Sequence, residues 1–140
     1  MRIIVCLDDY GGMLFNFRRQ SRDRVLIADI MEELGDKKLY MLEFSECLFS
    51  AYEGRYTVVD DFSDVSKLEN SDDCVCFVEN VSVAKLLDKI DAVTVYYWNK
   101  VYPRDFVFDI NLEKEGFSLK SSYEFEGYSH ENIKKEVYER

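Results

Sequence analysis

One histidine, one proline and six glycines in 140 residues, with 28 acidic side chains against only 18 basic ones, already exclude much. A single histidine, His130, is too few for the histidine and aspartate cluster that holds a pair of catalytic zinc ions. So little proline and glycine, beside 47% hydrophobic and 15% aromatic content, excludes a disordered chain and points to a packed core. No apolar run approaches the ~20 residues needed to span a bilayer. The N-terminal run is charged by Asp8, too soon for a signal-peptide core, so a soluble cytoplasmic protein is expected. A net charge of −10 excludes general nucleic-acid binding, because neutralising phosphates needs a positive surface.

Cysteine is present but not in metal-site spacing. Cys6, Cys74 and Cys76 stand in β-like apolar runs, where the thiol acts as a small buried hydrophobe. Cys74 and Cys76 point to one face of a strand, and no second close pair completes a zinc site. No metal and no disulfide are expected, in keeping with a reducing compartment.

What is abundant is arginine in one place. Arg18, Arg19, Arg22 and Arg24 fall within seven residues, with Asp23 among them and Gly11-Gly12 shortly before. Two readings stand. The cluster binds an anion or an acidic partner, aided by N–H groups at a helix start, or it pairs internally with the many carboxylates. Exposed ion pairs contribute only ~0–1 kcal/mol and hardly require arginine over lysine, whereas the guanidinium fork suits carboxylate and phosphate.

The hydrophobic pattern predicts one α/β domain over residues 1–140, with a mixed, mainly parallel sheet and short flanking helices. Residues 2–8 read as a strand buried on both faces. Ser21 is the expected cap of a helix running to Leu34, with Ile27, Ile30, Met31 and Leu34 inward and Gly35 as the stop. Strands follow at 38–43, 56–60, 74–79 and 92–98. Helical turns are expected at 44–51 and 81–89, and a polar surface connection at 62–73. After Pro103 the alternation of Phe106, Phe108 and Ile110 and the strand-like 117–125 mark an antiparallel portion. The segment 130–140 fits an edge strand as well as a helix. Tyr97, Trp98 and Tyr102, beside Tyr96, form an aromatic run that serves either as a partner surface or as packing over a loop. Asp8, Asp9 and Asp23 are read as solvating their loops rather than holding a metal, and His130 as an exposed loop residue.

Gly12-Met13 with Asn16, Asp23 at a helix start, Arg104-Asp105-Phe106-Val107-Phe108, Phe117 to Ser122 and Lys135 to Arg140 together resemble dihydrofolate reductase. They are similar to its flexible substrate loop, its substrate-binding acid, its Gly-Asp-x-x-Phe segment and its last two strands. The resemblance implies that Met13, Asn16, Arg18, Arg19, Arg22 and Arg24 face a ligand. Departures are equally specific. Phe77-Val78-Glu79-Asn80-Val81 stands where the reductases carry a phosphate-cradling Gly-Gly turn. Leu42-Glu43-Phe44-Ser45 replaces their Gly-Arg-Lys/Arg-Thr helix start, and Arg18-Arg19 replaces the Pro-Trp of the substrate loop. The threonine that supports the acid has only Tyr96, Tyr97 and Trp98 nearby. The resemblance therefore implies the fold without the NADPH site, and no cofactor is expected.

The opening from Asp8 to Arg24 also resembles a group of short bacterial proteins, some labelled ribonuclease Z. That label is excluded here by the single histidine. The leading expectation is a non-catalytic domain binding a ligand or partner at residues 12–24. The alternative is an enzyme acting on a small anionic or nucleotide-like substrate, with Asp23 as acid and Arg18, Arg19 and Arg22 as clamp. A partner protein built on the aromatic run is a third.

Overall fold

The computed structural model describes residues 1–140. Its strands are β1 (Arg2–Leu7), β2 (Gly12–Phe15), β3 (Arg18–Arg19), β4 (Lys38–Met41), β5 (Tyr56–Val58), β6 (Cys74–Phe77), β7 (Ala92–Tyr97), β8 (Phe106–Val107), β9 (Ser118–Phe125) and β10 (Ile133–Glu139). The α-helices are α1 (Arg24–Leu34) and α2 (Phe62–Ser66), joined by 3₁₀ turns over Glu43–Tyr52, Ser71–Asp73 and Ala84–Lys89. Seven strands form the main sheet in the order β5-β4-β6-β1-β7-β10-β9; a small second sheet has the order β3-β2-β8.

The centre is parallel, as apolar runs buried on both faces require. β1 lies parallel to both β6 and β7, with Arg2 opposite Ala92 through Leu7 opposite Tyr97. All of β6 is buried, and Cys74 and Cys76 face one side while Val75 and Phe77 face the other. The last two strands are antiparallel. β10 lies between β7 and β9, so the ambiguous C-terminal segment is an interior strand, neither helix nor edge. β9 is the edge, and its exposed Lys120 and Glu124 suit an edge that must not pair with another chain.

α1 covers one face of the sheet. Leu26, Ile27, Ile30, Met31 and Leu34 make its buried stripe, and each such side chain contributes ~1.5–3 kcal/mol. Gly35, at φ 58°, ends it in the left-handed region. The cap is Asp23 rather than Ser21: its backbone is extended and its carboxylate accepts the N–H groups of Val25 and Leu26. The 62–73 connection is also more ordered than its polarity suggests. Asp61 caps α2, which buries Phe62 and Val65 in the opposite core. No helix is long and apolar enough to cross a membrane.

Candidate functional site

The four arginines part company at β3. Successive strand residues face opposite sides, so Arg18 stands in solvent while Arg19 turns inward. Arg19 grips Glu79 with both arms of its fork: Nε lies 3.0 Å from Oε2 and Nη2 2.9 Å from Oε1. Nη2 also donates to the Phe44 carbonyl at 2.7 Å, and the guanidinium lies 4.4 Å from the Phe44 ring centre. Ser45 Oγ donates to Glu79 Oε1 at 2.7 Å. The Glu79 hydrogen bond raises the Arg19 pKa further. Arg19 is therefore an internal tie, not the ligand contact expected from its position in the cluster.

Arg22 and Arg24 stay outside every ion pair of the molecule, as does Arg18. They border a cleft of about 690 Å³ between the start of α1 and the 3₁₀ turn at 43–52. Its wall is apolar, with Val25, Ile27, Ala28, Leu48, Ala51 and Tyr52. The Arg24 guanidinium lies over the Tyr128 ring, 3.6 Å from its centre.

Other expected contacts are used elsewhere. Met13 is buried in the core and offers no ligand surface. Asn16 and Phe17, at φ 52° and 63°, form the two-residue turn between β2 and β3, and the Asn16 N–H donates to Asp105. Trp98 is withdrawn from any partner surface because its ring stacks on His130, centres 4.6 Å apart. Tyr97 and Tyr102 are half-buried.

Asp23 and His130 depart furthest from the sequence reading. His130 is buried, not an exposed loop residue, and its Nδ1 lies 2.8 Å from Asp23 Oδ2. Its Nε2 lies 2.7 Å from Ser21 Oγ. Asp23 also accepts from the N–H groups of Tyr128 and Ser129, both at 2.9 Å, and from Ser129 Oγ at 3.3 Å. Burial alone would raise its pKa. Donation by Tyr128, the His130 ring, Ser129 and Val25 outweighs that and holds the carboxyl well below the usual range. Asp23 is thus an ionised acceptor at neutral pH and cannot be the proton-donating acid of the alternative reading. The loop that delivers His130 turns at Gly127, where a Cβ would meet Asp23 Oδ2 at 2.6 Å. The sequence separates Asp23 and His130 by 107 positions; the one cue was that the sole histidine sits in a short loop between two strand-like segments.

Asp8 serves its own loop. Fully buried, it accepts from the N–H groups of Tyr10, Gly12 and Tyr102 and from Gln20 Nε2. Those bonds outweigh burial and lower its pKa. Asp9 is exposed, so the three aspartates do not converge. No group of three or more His, Cys, Asp or Glu side chains is gathered in a way that would hold a metal ion.

The architecture is that of the dihydrofolate-reductase fold: a mixed sheet, parallel at its centre, with an antiparallel end and a helix beginning beside the first strand's loop. No protein-family profile and no curated protein sequence matches the chain. Among solved structures it is similar to a dihydrofolate reductase from Enterococcus faecalis complexed with NADP(H) and RAB-propyl. The TM-score is 0.72 at 12% identity, over 99% of this chain and 95% of that one.

Proposed function

We propose that the protein is a ligand-binding domain on this scaffold, and that its site is the Arg22–Arg24–Tyr128 cleft. The observation that supports the reading is two guanidinium groups without carboxylate partners beside an apolar wall. That combination suits a small ligand with an anionic group at one end and an aromatic or aliphatic body at the other. The chain's strong net negative charge opposes long-range attraction of anions, so recognition rests on these short-range contacts.

The residues present do not fit a nicotinamide dinucleotide. The two segments that replace the phosphate-holding motifs, around Glu79 and Phe44-Ser45, are bound to each other through Arg19. A pyrophosphate there would face a buried carboxylate, and the donors nearby are already spent on it. Hydride transfer from such a cofactor forms no part of this function.

A thermal-shift screen with folates, nucleotides and phosphorylated metabolites tests the reading. A ligand at 100 times its Kd stabilises by ~2.7 kcal/mol, and the shift is expected to vanish in Arg22→Ala/Arg24→Ala. No shift with any anion would overturn the cleft assignment. A shift with NADPH would overturn the argument from Glu79.

A further inference from the structure

We propose that Ser21, His130 and Asp23 form a nucleophile, base and positioning carboxylate, and that the protein hydrolyses a carboxylic ester with an anionic group on one half. The triad stands on its own contacts, while the anionic half of the substrate rests on the cleft reading above.

The hydrogen bonds fix the direction of the relay. Asp23 is ionised and only accepts, so His130 Nδ1 must carry the proton it shares at 2.8 Å. When the imidazole is neutral, Nε2 then carries the lone pair, and across the 2.7 Å contact Ser21 Oγ donates to it. The hydroxyl is polarised toward the ring, and the oxygen's lone pairs are left for attack. Nucleophile, base and orienting group thus lie in sequence within hydrogen-bond reach, the arrangement that activates serine.

The scaffold holds that order firmly. Trp98 fixes the ring plane, the N–H groups of Tyr128 and Ser129 fix the carboxylate, and the Gly127 N–H bonded to the His130 carbonyl at 2.9 Å closes the loop. A purely structural tie needs only Asp23 and the backbone of 128–129. It does not need the second imidazole nitrogen to meet a half-exposed hydroxyl. Arg22 follows Ser21 directly and lines the cleft. Its backbone N–H donates to no other protein group and is available to charge developing on a carbonyl oxygen.

In the reaction, Ser21 Oγ bonds to the ester carbonyl carbon, its proton passes to His130 Nε2, and the carbonyl electron pair moves onto oxygen. Collapse breaks the bond to the alkoxy oxygen, which leaves as alcohol with the proton from Nε2. Water then attacks the acyl-serine and gives its proton to Nε2. A second collapse releases the carboxylic acid and returns the proton to Oγ. One water is consumed, with one acid and one alcohol formed. Asp23 touches no reacting atom and acts through the tautomer of His130.

The test is an alkyl fluorophosphonate probe on the full chain, read by intact mass and peptide mapping. Attack by Ser21 forms an Oγ–P bond and expels fluoride. The expected result is one phosphonyl group per chain at Ser21, none in Ser21→Ala, and labelling slowed about 10²–10⁴-fold in His130→Gln. Absence of label at Ser21, equal labelling of Ser21→Ala, or an undiminished rate in His130→Gln would each overturn the proposal. If His130→Gln does not fold, Ser21→Cys decides. Its thiol is expected to react with iodoacetamide at least 10-fold faster than exposed Cys47 in the same chain, and a rate no faster than Cys47 overturns the base assignment. Labelling without any anion-induced thermal shift upholds the triad and removes the cleft reading. A shift without labelling removes the triad.

Discussion

Helix α1 carries two charged centres on its inner side, and they are wired in opposite ways. At its N-terminus Asp23 accepts from four backbone N–H groups, the Ser129 hydroxyl and His130, and the relay continues outward to Ser21. In its middle Asp29 meets Lys135, 2.9 Å from Nζ, and accepts from Tyr96 Oη at 2.6 Å. The Lys135 side chain is only 1% exposed, and its Nζ also contacts Glu33 and the Tyr123 hydroxyl, while Tyr123 leans back to Asp29. Each polar group of the second centre is paired with another protein group, although Glu33 and Tyr123 also reach solvent. The first stops at a hydroxyl that solvent reaches. A closed ring of charges secures the fold, whereas an open chain of them can exchange a proton with something outside.

That contrast predicts unequal losses on mutation. Asp23→Ala removes a helix cap, worth ~1 kcal/mol, and strands the part-buried N–H groups of Tyr128 and Ser129 at ~1–3 kcal/mol each. A total loss of about 3–7 kcal/mol is expected in urea unfolding. Lys135→Met should cost less, about 2 kcal/mol. The buried cation goes, but the abandoned carboxylates of Asp29 and Glu33 are 26% and 50% exposed and water can meet them. Equal losses would erase the distinction between the two centres.

Stability against pH separates them from opposite ends. The depressed Asp23 pKa contributes stability that is present above the unfolded value of ~3.9 and lost as pH falls through the folded one. Tyr96 runs the other way. Burial first, then the hydrogen bond and charge of Asp29, raise its phenol far above the ordinary value. Its contribution is present below the unfolded value of ~10 and lost as pH rises past it. Urea midpoints measured across pH are expected to show a shallower acid limb in Asp23→Asn and a shallower alkaline limb in Tyr96→Phe. Each change is partial, since Asp8 shares the acid limb and Tyr97 and Tyr138 share the alkaline one. A substitution that flattens the opposite limb would refute the assignment of that centre.

Much of the closed centre's frame was legible in sequence and little of the open one's. The α1 stripe, Gly35 and the parallel core follow from local periodicity, which a single sequence displays. The 130–140 strand does not, because Lys135 occupies a core position that alternation assigns to an apolar residue. Its burial depends on Asp29 and Tyr96, distant in sequence. The arginines looked like one cluster because they are adjacent in sequence, but the two-residue period of β3 sends Arg18 and Arg19 to opposite sides. A hydroxyl suits the helix-cap position, so local sequence alone favours Ser21 there. With Asp23 doing the capping, Ser21 lies two residues before the cap, where it meets an imidazole 109 residues away.

Ser21→Ala carries the smallest expected effect on stability and the sharpest separation of the two centres. It removes one hydrogen bond from a half-buried hydroxyl, ~1 kcal/mol or less, and leaves every contact of Asp23 in place. Nε2 loses one donor, but His130 keeps its Asp23 contact and its stack on Trp98. The melting temperature should therefore move by no more than a few degrees. In the closed centre even a conservative change such as Tyr96→Phe removes a buried donor, 2.6 Å from Asp29, in the middle of the network. If the triad were a structural clasp of the same kind, Ser21→Ala would lower stability as much as Tyr96→Phe. A near-silent melt for Ser21→Ala beside a clear loss for Tyr96→Phe places the hydroxyl outside the load-carrying network, as a group held ready to react requires.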